Sequence, residues 1–296
     1  LGATLARLGE VRGSRVRADV AILWDFESFW AQDLEWRPSV DVRHAERIRQ
    51  FYEQCWKDNI TVDFALPGHD LGGYRLVIAP AQYLLRASDA DNLTRYVAAG
   101  GTLVWSFFSG IVDENDAVHE GGYAAPLHEV LGLQIEEFLP LREDETCRLA
   151  WSDGRDGQLG ADVWQDAVIP TTAGVVARYL DGPAEGGAAL TRNAHGDGVA
   201  WYLSTRLDAG ALAAVMSEVY RDAGIERSDL PDGVEVVTRH GDDADYLVAV
   251  NHRDVPVTVP ATGREMLSDT DVESALTLAA GGIAVVRTPT AHRTHN

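Results

Sequence analysis

The fold is decided by the stretch Gly100-Gly-Thr-Leu-Val-Trp-Ser-Phe-Phe-Ser-Gly-Ile-Val-Asp-Glu-Asn-Asp116. Two glycines end a helical segment, and Thr102–Phe108 then reads as a strand covered on both faces, because it is β-branched and aromatic. Ser109 and Gly110 end the strand, and three acidic residues with Asn115 follow. Loops at the carboxyl ends of central strands are where open α/β sheets usually build their sites. This loop offers rings and carboxylates, without Cys, His or a glycine-rich phosphate loop, which indicates a lining or contact surface.

Strand and helix patterns alternate through the first half of the chain. The apolar run Asp19-Val-Ala-Ile-Leu-Trp24 predicts the first parallel strand. Ser39 is expected to begin a helix whose apolar residues, Tyr52 among them, recur at spacings of three and four and face a sheet. Ser88 is expected to cap a second helix that ends at Gly100. The other expected strands are Thr61–Leu66, Arg75–Pro80 and the one beginning at Thr102. Strands joined by helices predict a parallel sheet with right-handed crossovers.

The second half of the chain has a different pattern. The turn His195-Gly-Asp-Gly198 between two strand-like segments predicts a β-hairpin. Asp208 is then expected to cap a helix that Gly224 ends. From Pro231 onwards, short strands separated by turn residues, one of them Met266–Ser268, predict an antiparallel sandwich. The predicted fold class is therefore α/β, with an open, mostly parallel sheet, followed by a small all-β antiparallel sandwich.

These patterns divide the chain into four segments. Residues 1–18 are expected to be a linker or the end of a preceding helix, and residues 19–226 an α/β domain. Residues 232–288 are expected to form the β-sandwich, and residues 289–296 a disordered tail. The chain begins with Leu1 rather than Met, so we expect either a processed protein or a fragment of a longer one.

Composition excludes several classes of partner. The chain of 296 residues carries a formal net charge of −21, which argues against nucleic acid and anionic membrane surfaces as partners. No window reaches the roughly 18 apolar residues that a membrane-spanning helix needs. Cys55 and Cys147 are too few for a disulfide framework or a metal set, so neither a metal nor a cofactor is predicted. A reducing, cytoplasmic setting fits best.

Four separated segments resemble one family. They are Val20-Ala-Ile-Leu-Trp-Asp-Phe-Glu-Ser-Phe-Trp30, Arg37-Pro-Ser39, Phe108-Ser-Gly-Ile-Val-Asp-Glu-Asn-Asp116 and Gly121-Gly-Tyr123. In this order they resemble bacterial β-galactosidases of glycoside hydrolase family 42. The resemblance implies a trimer-building α/β domain similar to class I glutamine amidotransferases, followed by a small β domain. It also implies that the catalytic (β/α)8 barrel of the family precedes residues 1–18.

The resemblance carries over no catalytic residue. The two glutamates of the family belong to the barrel, and retaining hydrolysis needs both carboxyl groups about 5 Å apart across the sugar. No position of this chain matches either motif, so the chain by itself is predicted to be inactive. The function predicted is that of the non-catalytic assembly portion of a β-galactosidase, which forms a homotrimer and lines a neighbour's active site. The whole enzyme is expected to hydrolyse terminal β-D-galactosides.

Six residues are candidates for that assembly role. Trp30, Phe107 and Phe108, together with Asn115, are predicted to line the interface or the sugar pocket, with ordinary core packing as the alternative for the rings. Arg37 and Arg43 are candidates for interface ion pairs. Such pairs, with apolar contacts, are needed to offset the repulsion between copies of charge −21, which salt also screens.

Two other functions remain open. A free-standing glutamine-amidotransferase-like domain, acting as a binding or scaffold protein, fits the same α/β pattern. Amidotransferase chemistry needs a Cys at a sharp turn with a His as base, whereas the turn here offers only Ser109. A carbohydrate-binding module is the other alternative, although the expected β-domain strands show few exposed aromatic residues beyond Tyr246.

Overall fold

The structure, a computed structural model, describes residues 2–34 and 37–290. They divide into two compact units. The α/β unit comprises residues 19–54 and 62–226, and the β unit comprises residues 1–18, 55–61 and 227–296 within the described part. The expected disordered tail falls largely outside the described residues, since only residues 289 and 290 of it are covered.

Both helices and strands occur along the described chain. The helices are α1 (Gly2–Arg7), α2 (Phe26–Gln32), α3 (His44–Lys57), α4 (Ala87–Ala98), α5 (His128–Leu131) and α6 (Ala209–Asp222), with short 3-10 turns at Leu8–Val11 and Ala125–Leu127. The strands are β1 (Arg15–Val16), β2 (Val20–Leu23), β3 (Val62–Ala65), β4 (Leu76–Ala79), β5 (Thr102–Ser106), β6 (Leu133–Pro140), β7 (Thr146–Trp151), β8 (Gln158–Asp162), β9 (Trp164–Pro170), β10 (Gly174–Tyr179), β11 (Ala188–His195), β12 (Gly198–Leu203), β13 (Arg206–Leu207), β14 (Val234–His240), β15 (Ala244–Asn251), β16 (Val257–Pro260), β17 (Gly263–Glu265), β18 (Thr270–Val272), β19 (Ala275–Leu278) and β20 (Ile283–Pro289).

The main sheet of the α/β unit is mixed. Its order is β13-β8-β7-β10-β11-β12-β5-β4-β2-β3. Pairing is parallel from β12 to β3 and antiparallel from β13 to β12. The prediction of a mostly parallel sheet was therefore wrong, although the α/β class is confirmed. The reason is that a parallel neighbour needs a long crossover, whereas the chain beyond β5 turns back in hairpins.

The hairpin and the last helix of this unit match their predictions. β11 and β12 pair through the tight turn at His195–Gly198, as the glycines indicated. Asp208 caps α6, and its side chain accepts a hydrogen bond from the backbone N–H of Ala211 at 2.8 Å. The apolar stripe of α6 is buried, including Val215 and Met216.

The core of the α/β unit lies around β2, β4 and β5, which are buried along their whole length. Strands covered on both faces read as continuous apolar runs, which is the pattern that identified them. Burial of each large apolar side chain here stabilises the fold by about 1.5–3 kcal/mol. Trp105 at the end of β5 is among the largest fully buried side chains.

The helix α3 departs from its predicted pattern. It begins at His44 rather than near Ser39, whose hydroxyl instead accepts a hydrogen bond from the backbone N–H of Asp41 at 3.1 Å. Phe51 is fully buried, whereas Tyr52 is 42% exposed. Phe51 and Tyr52 follow Ile48 by three and four residues, and either spacing fits one face of a helix. In the structure it is Phe51 that lies on the buried face.

The β unit is all antiparallel. Six of its strands form one sheet in the order β1-β14-β15-β20-β17-β18, and β16 pairs with β19 in a second, two-stranded sheet. The two sheets share an apolar cluster that includes Val234, Val259 and Leu278. The small antiparallel β region is thus confirmed. The expected strand at Met266–Ser268 is instead the turn between β17 and β18.

The N-terminal residues belong to this β unit. β1 pairs with β14, and Leu8 and Val11 pack against the cluster that contains Tyr246 and Met266. The hydroxyl group of Tyr246 donates a hydrogen bond to the backbone oxygen of Glu10 at 3.1 Å. Tyr246 is therefore a core residue and not an exposed platform for a sugar.

Replacing Gly198 by Ala is expected to destabilise the α/β unit by about 3 kcal/mol. A Cβ atom at this position would overlap the backbone carbonyl oxygens of Val97, in α4, and Gly101, next to β5, and neither can move without disturbing its element. Gly73→Ala is the matched control, because a Cβ atom there meets nothing within 4 Å. Urea denaturation followed by tryptophan fluorescence measures both, and equal midpoints for the two variants would contradict the prediction.

Candidate functional site

The candidate site lies at the carboxyl edge of the parallel strands. The chain leaves β2 towards β3 on one side and leaves β4 towards β5 on the other, so the topological switch point lies between β2 and β4. In open α/β sheets, ligand sites are usually found outside the strand ends at this point. The residues that follow the two strands here are Trp24–Asp25 and Pro80–Gln82.

A buried hydrogen-bond network fills this edge. The carboxylate of Asp25 caps α2 and accepts hydrogen bonds from the backbone N–H groups of Glu27 and Ser28 at 3.0 and 3.4 Å. The side-chain amide of Gln82 lies 3.2 Å from the same carboxylate and 2.9 Å from the Ser28 hydroxyl. The Asp25 carboxylate thus caps α2 and also binds Gln82, which follows β4. Glu27 pairs with Arg86 at the surface. Both carboxylates therefore have partners within the chain.

His44 belongs to the same edge and is 2% exposed. The amide nitrogen of Gln32 donates to the carbonyl oxygens of Ser28 and Ala81, at 3.2 and 2.7 Å, which uses both of its hydrogens. The Nδ1 atom of His44, 3.0 Å from the Ala81 oxygen, therefore carries the ring proton. Burial lowers the pKa of His44 to about 4, so the imidazole is neutral at neutral pH.

Two of the predicted lining residues are buried. Phe107 is 0% exposed and Phe108 is 3% exposed. Phe107 stacks on Trp164 with ring centroids 5.7 Å apart, and the guanidinium carbon of Arg47 lies 4.6 Å from the centre of the Phe107 ring. Phe108 adopts φ of 58°, and it packs against Trp164 and Phe138. Within this chain both rings serve as core, which is the alternative that the sequence left open.

The sequence did not indicate that two charged residues beside these rings would be buried. Arg47 is buried, and burial followed by repulsion from Arg206 lowers its pKa to about 9, so it remains a cation at neutral pH. Asp166 is buried between the indole N–H of Trp164 and the hydroxyl of Tyr202, each 2.6 Å from a carboxylate oxygen. Burial raises the pKa of Asp166 to about 7. Both positions resemble ordinary surface charges in a helix and a strand, so only packing identifies them.

The other predicted site residues lie near the surface. Trp30 is 62% exposed on α2, with its ring 5.9 Å from that of Phe26. Asn115 is exposed in the loop after β5, where its backbone N–H donates to the Asp113 carboxylate at 2.8 Å. The structure therefore places Trp30 at the surface and the Phe107–Phe108 pair in the core.

Both candidate arginines already have partners in their own chain. A guanidinium nitrogen of Arg37 donates to the backbone oxygen of Gln32, and Arg43 forms an exposed ion pair with Glu46 at 3.5 Å. The two arginines and His44 line one open pocket of about 420 Å³. Exposed pairs of this kind contribute little to stability and can exchange partners at an interface.

Two further features are absent from the described residues: a metal-binding cluster and a membrane-spanning helix. Within residues 2–34 and 37–290, no group of three or more His, Cys, Asp or Glu side chains is placed to hold a metal ion. None of the helices described for this chain is both long and apolar enough to cross a membrane.

Comparison with known proteins gives a consistent result. A family model described as the β-galactosidase trimerisation domain matches residues 18–226, and one described as the β-galactosidase C-terminal domain matches residues 233–288. Among curated relatives, a β-galactosidase of Geobacillus kaustophilus is 38% identical over 260 residues, which are 88% of this chain and 38% of the relative. A β-galactosidase of Arthrobacter is 34% identical over 288 residues, covering 97% of this chain and 40% of the relative.

Solved structures agree with the family matches. The β-galactosidase from Bacillus circulans sp. alkalophilus superposes with a TM-score of 0.92 at 32% identity, covering 97% of this chain and 44% of that one. A β-galactosidase from Rahnella superposes with a TM-score of 0.89 at 30% identity, covering 98% of this chain and 43% of that one. The chain thus spans about two-fifths of the length of these proteins.

The His44→Asn substitution is expected to make the free energy of unfolding depend less on pH below neutrality. The pKa of His44 is about 4 in the folded state against 6.5 in the unfolded state, so the unfolded chain takes up this proton first as the pH falls. The contribution of neutral His44 to the free energy of unfolding is therefore complete above pH 6.5 and declines towards pH 4. At pH 5 this decline amounts to about 2 kcal/mol. Asn retains a nitrogen donor for the Ala81 oxygen but does not titrate.

Urea denaturation at several pH values measures the difference between the wild type and His44→Asn. The wild type should lose more stability than the variant between about pH 7 and pH 5. Equal slopes, or an imidazole NMR signal of His44 that titrates at the ordinary value, would show that His44 is not buried as described.

Proposed function

The chain belongs to the β-galactosidases of glycoside hydrolase family 42, of which it contains the trimerisation and C-terminal domains, and we propose that it is the non-catalytic assembly part of such an enzyme. The observation that carries the proposal is the match of both domain models in order, over residues 18–226 and 233–288. The relatives are β-galactosidases more than twice as long as this chain. In the proposed whole enzyme, catalysis belongs to the part outside this chain.

The chemistry at the carboxyl edge supports a non-catalytic role. Retaining hydrolysis needs two carboxyl groups about 5 Å apart that face one sugar. Asp25 is occupied by capping α2, Glu27 by its pair with Arg86, and Asp166 by its two buried donors. Each of these groups is thus already engaged by partners within the chain.

The partner proposed for the chain is a second and third copy of itself, in a homotrimer. Exposed Trp30 is the predicted lining residue best placed to meet a neighbour, because Phe107 and Phe108 are buried. Arg37 and Arg43 contribute by exchanging their local partners for carboxylates of the neighbour. The β-galactoside substrate would be bound by the whole enzyme and not by this chain alone.

A more specific fold class is also proposed for the α/β unit. The parallel half of the sheet, with its crossover helices, supports descent from the class I glutamine amidotransferase fold. The turn after β5 lacks a Cys, and Ser109 there is 1% exposed with its hydroxyl accepting the backbone N–H of Gln82 at 2.8 Å. Amidotransferase chemistry is therefore not favoured, and the β-galactosidase relatives and domain models do not favour a free-standing binding or scaffold protein. Cys55 and Cys147 are both buried and are not joined in a disulfide bond, which supports a reducing cytoplasmic location.

The chain is expected to form a trimer at micromolar concentration. Light scattering should give about three times the mass of 32.2 kDa, and the trimer fraction should rise with salt because each copy carries a charge of −21. A monomer at all salt concentrations would contradict the proposed assembly role.

The chain alone is expected not to hydrolyse a chromogenic β-galactoside. The assay compares the isolated chain with a full-length family member of known activity as the positive control. Measurable turnover that survives removal of contaminating enzyme, and that depends on Glu27 or Asp25, would show that a catalytic pair had been overlooked.

A further inference from the structure

An open pocket of about 420 Å³ lies beside the start of α3, within the α/β unit. Its volume is in the range of small-molecule sites. The lining includes the aromatic residue Phe29, the polar residues Gln32 and His44, and the exposed residue Arg49. Gln32 and His44 are each 2% exposed. The pocket thus brings an aromatic residue, two buried polar side chains and a cation to one place.

Gln32 leaves one hydrogen-bond acceptor without a donor. Its amide nitrogen donates to the carbonyl oxygens of Ser28 and Ala81, at 3.2 and 2.7 Å, which uses both amide hydrogens. Its side-chain oxygen Oε1 is buried and accepts no hydrogen bond from the described residues. The nitrogen is therefore satisfied within the chain, whereas the oxygen needs a donor from elsewhere.

His44 leaves a second acceptor of the same kind. Its Nδ1 atom carries the ring proton and lies 3.0 Å from the Ala81 oxygen, so Nε2 on the other side of the ring is an acceptor. Nε2 is also buried without a partner in the part of the chain that the structure describes. The two side chains are neighbours, since the Gln32 amide nitrogen lies 3.1 Å from His44 Nδ1. Buried polar atoms are nearly always hydrogen-bonded, so these two acceptors indicate a missing donor.

The pocket carries more positive than negative charge. Its charged lining residues are two carboxylates, Asp33 and Glu46, and three arginines, Arg37, Arg43 and Arg49. The whole chain, by contrast, has a net charge of −21. Glu46 is paired with Arg43 at 3.5 Å, whereas Arg49 forms no ion pair within residues 2–34 and 37–290. The first-turn N–H groups of α3 have no acceptor in their own helix and also favour a negative charge.

We propose that this pocket binds a small anion that carries several hydroxyl groups, of the sugar-acid or sugar-phosphate class. The hydroxyl groups donate to Gln32 Oε1 and His44 Nε2, which an anion without hydroxyl groups cannot do. The charged group binds the Arg49 guanidinium and the first-turn N–H groups of α3. Phe29 offers an apolar surface to the C–H groups of the ligand.

This inference goes beyond the proposed assembly role and does not depend on it, because all of these residues belong to one chain. Isothermal titration calorimetry at pH 7 measures the binding of D-galacturonate to the chain. D-Galactose has similar hydroxyl groups without the charge, and acetate has the charge without hydroxyl groups. Galacturonate is expected to bind at least about tenfold more tightly than either. D-Galactose 6-phosphate is the second anion, and it distinguishes a sugar phosphate from a sugar acid.

The Arg49→Gln variant tests the position of the charged group. It is expected to weaken galacturonate binding about tenfold, because it removes a charge-assisted hydrogen bond. Arg95→Gln is the matched control, since Arg95 is an exposed arginine on α4 outside the lining of the pocket. It should bind galacturonate as the wild type does. Circular dichroism confirms that both variants are folded.

The imidazole nitrogen signals of His44 report on the acceptor itself. In a chain labelled with ¹⁵N-histidine, the His44 signals are identified by their loss in His44→Asn. The Nε2 signal should move upfield when galacturonate saturates the chain, because a hydrogen bond to an unprotonated ring nitrogen shields it. Acetate at the same concentration should leave the signal in place.

Each outcome supports or overturns the proposal. Equal affinity for galactose and galacturonate would remove the anionic group from the assignment, and equal affinity for acetate would remove the hydroxyl groups. Binding that neither changes in Arg49→Gln nor moves the His44 signal would place the ligand elsewhere. No binding of either sugar anion at millimolar concentration would leave water as the donor to the two acceptors. Every one of these results overturns the proposal and leaves the assembly role untouched.

Discussion

The complete burial of β2, β4 and β5 on both faces is the constraint on which the α/β unit depends. Strands without a solvated face need cover on each side, and the chain supplies it with helices between the parallel strands. The same burial requires that the polar groups beyond the strand ends find partners inside the protein. The network of Asp25, Ser28 and Gln82 meets this requirement for the Gln82 amide nitrogen and the Asp25 carboxylate, whereas Gln82 Oε1 finds no donor among the described residues.

This requirement explains why a place usually used for ligands serves structure here. At the switch point between β2 and β4, the groups whose chemistry suits binding or reaction are hydrogen-bonded to one another. Asp25 holds the start of α2, and the neutral ring of His44 holds the Ala81 carbonyl. At this edge, these groups serve the packing of the α/β unit.

The buried charges follow the same logic. Arg47 is covered by the ring of Phe107, and Asp166 is held by two donors from Trp164 and Tyr202. Burying a charge costs free energy, and the contacts with these neighbours offset part of that cost. The aromatic cluster after β5 is accordingly part of the buried core of the α/β unit.

Local patterns in the sequence determined the elements whose residues interact with near neighbours. The Asp208 cap of α6 and the glycine turn before Gly198 depend on atoms a few residues apart, so their residue types were sufficient. The resemblance to family 42 could also be detected from the sequence, because it lies in short segments such as Val20–Trp30. The absence of the two family glutamate motifs was equally a property of the sequence.

Only the tertiary structure decided which way the ambiguous residues face. Within the antiparallel half of the sheet, β7 pairs with β10 and β8 pairs with β13, which are distant in sequence, and local patterns do not encode such pairings. Phe107 and Phe108 became core because Trp164, far along the chain, packs on them, whereas Tyr52 was left outside because Phe51 took the inward position. An apolar side chain lowers the free energy wherever it is covered, and what covers it is set by the whole fold.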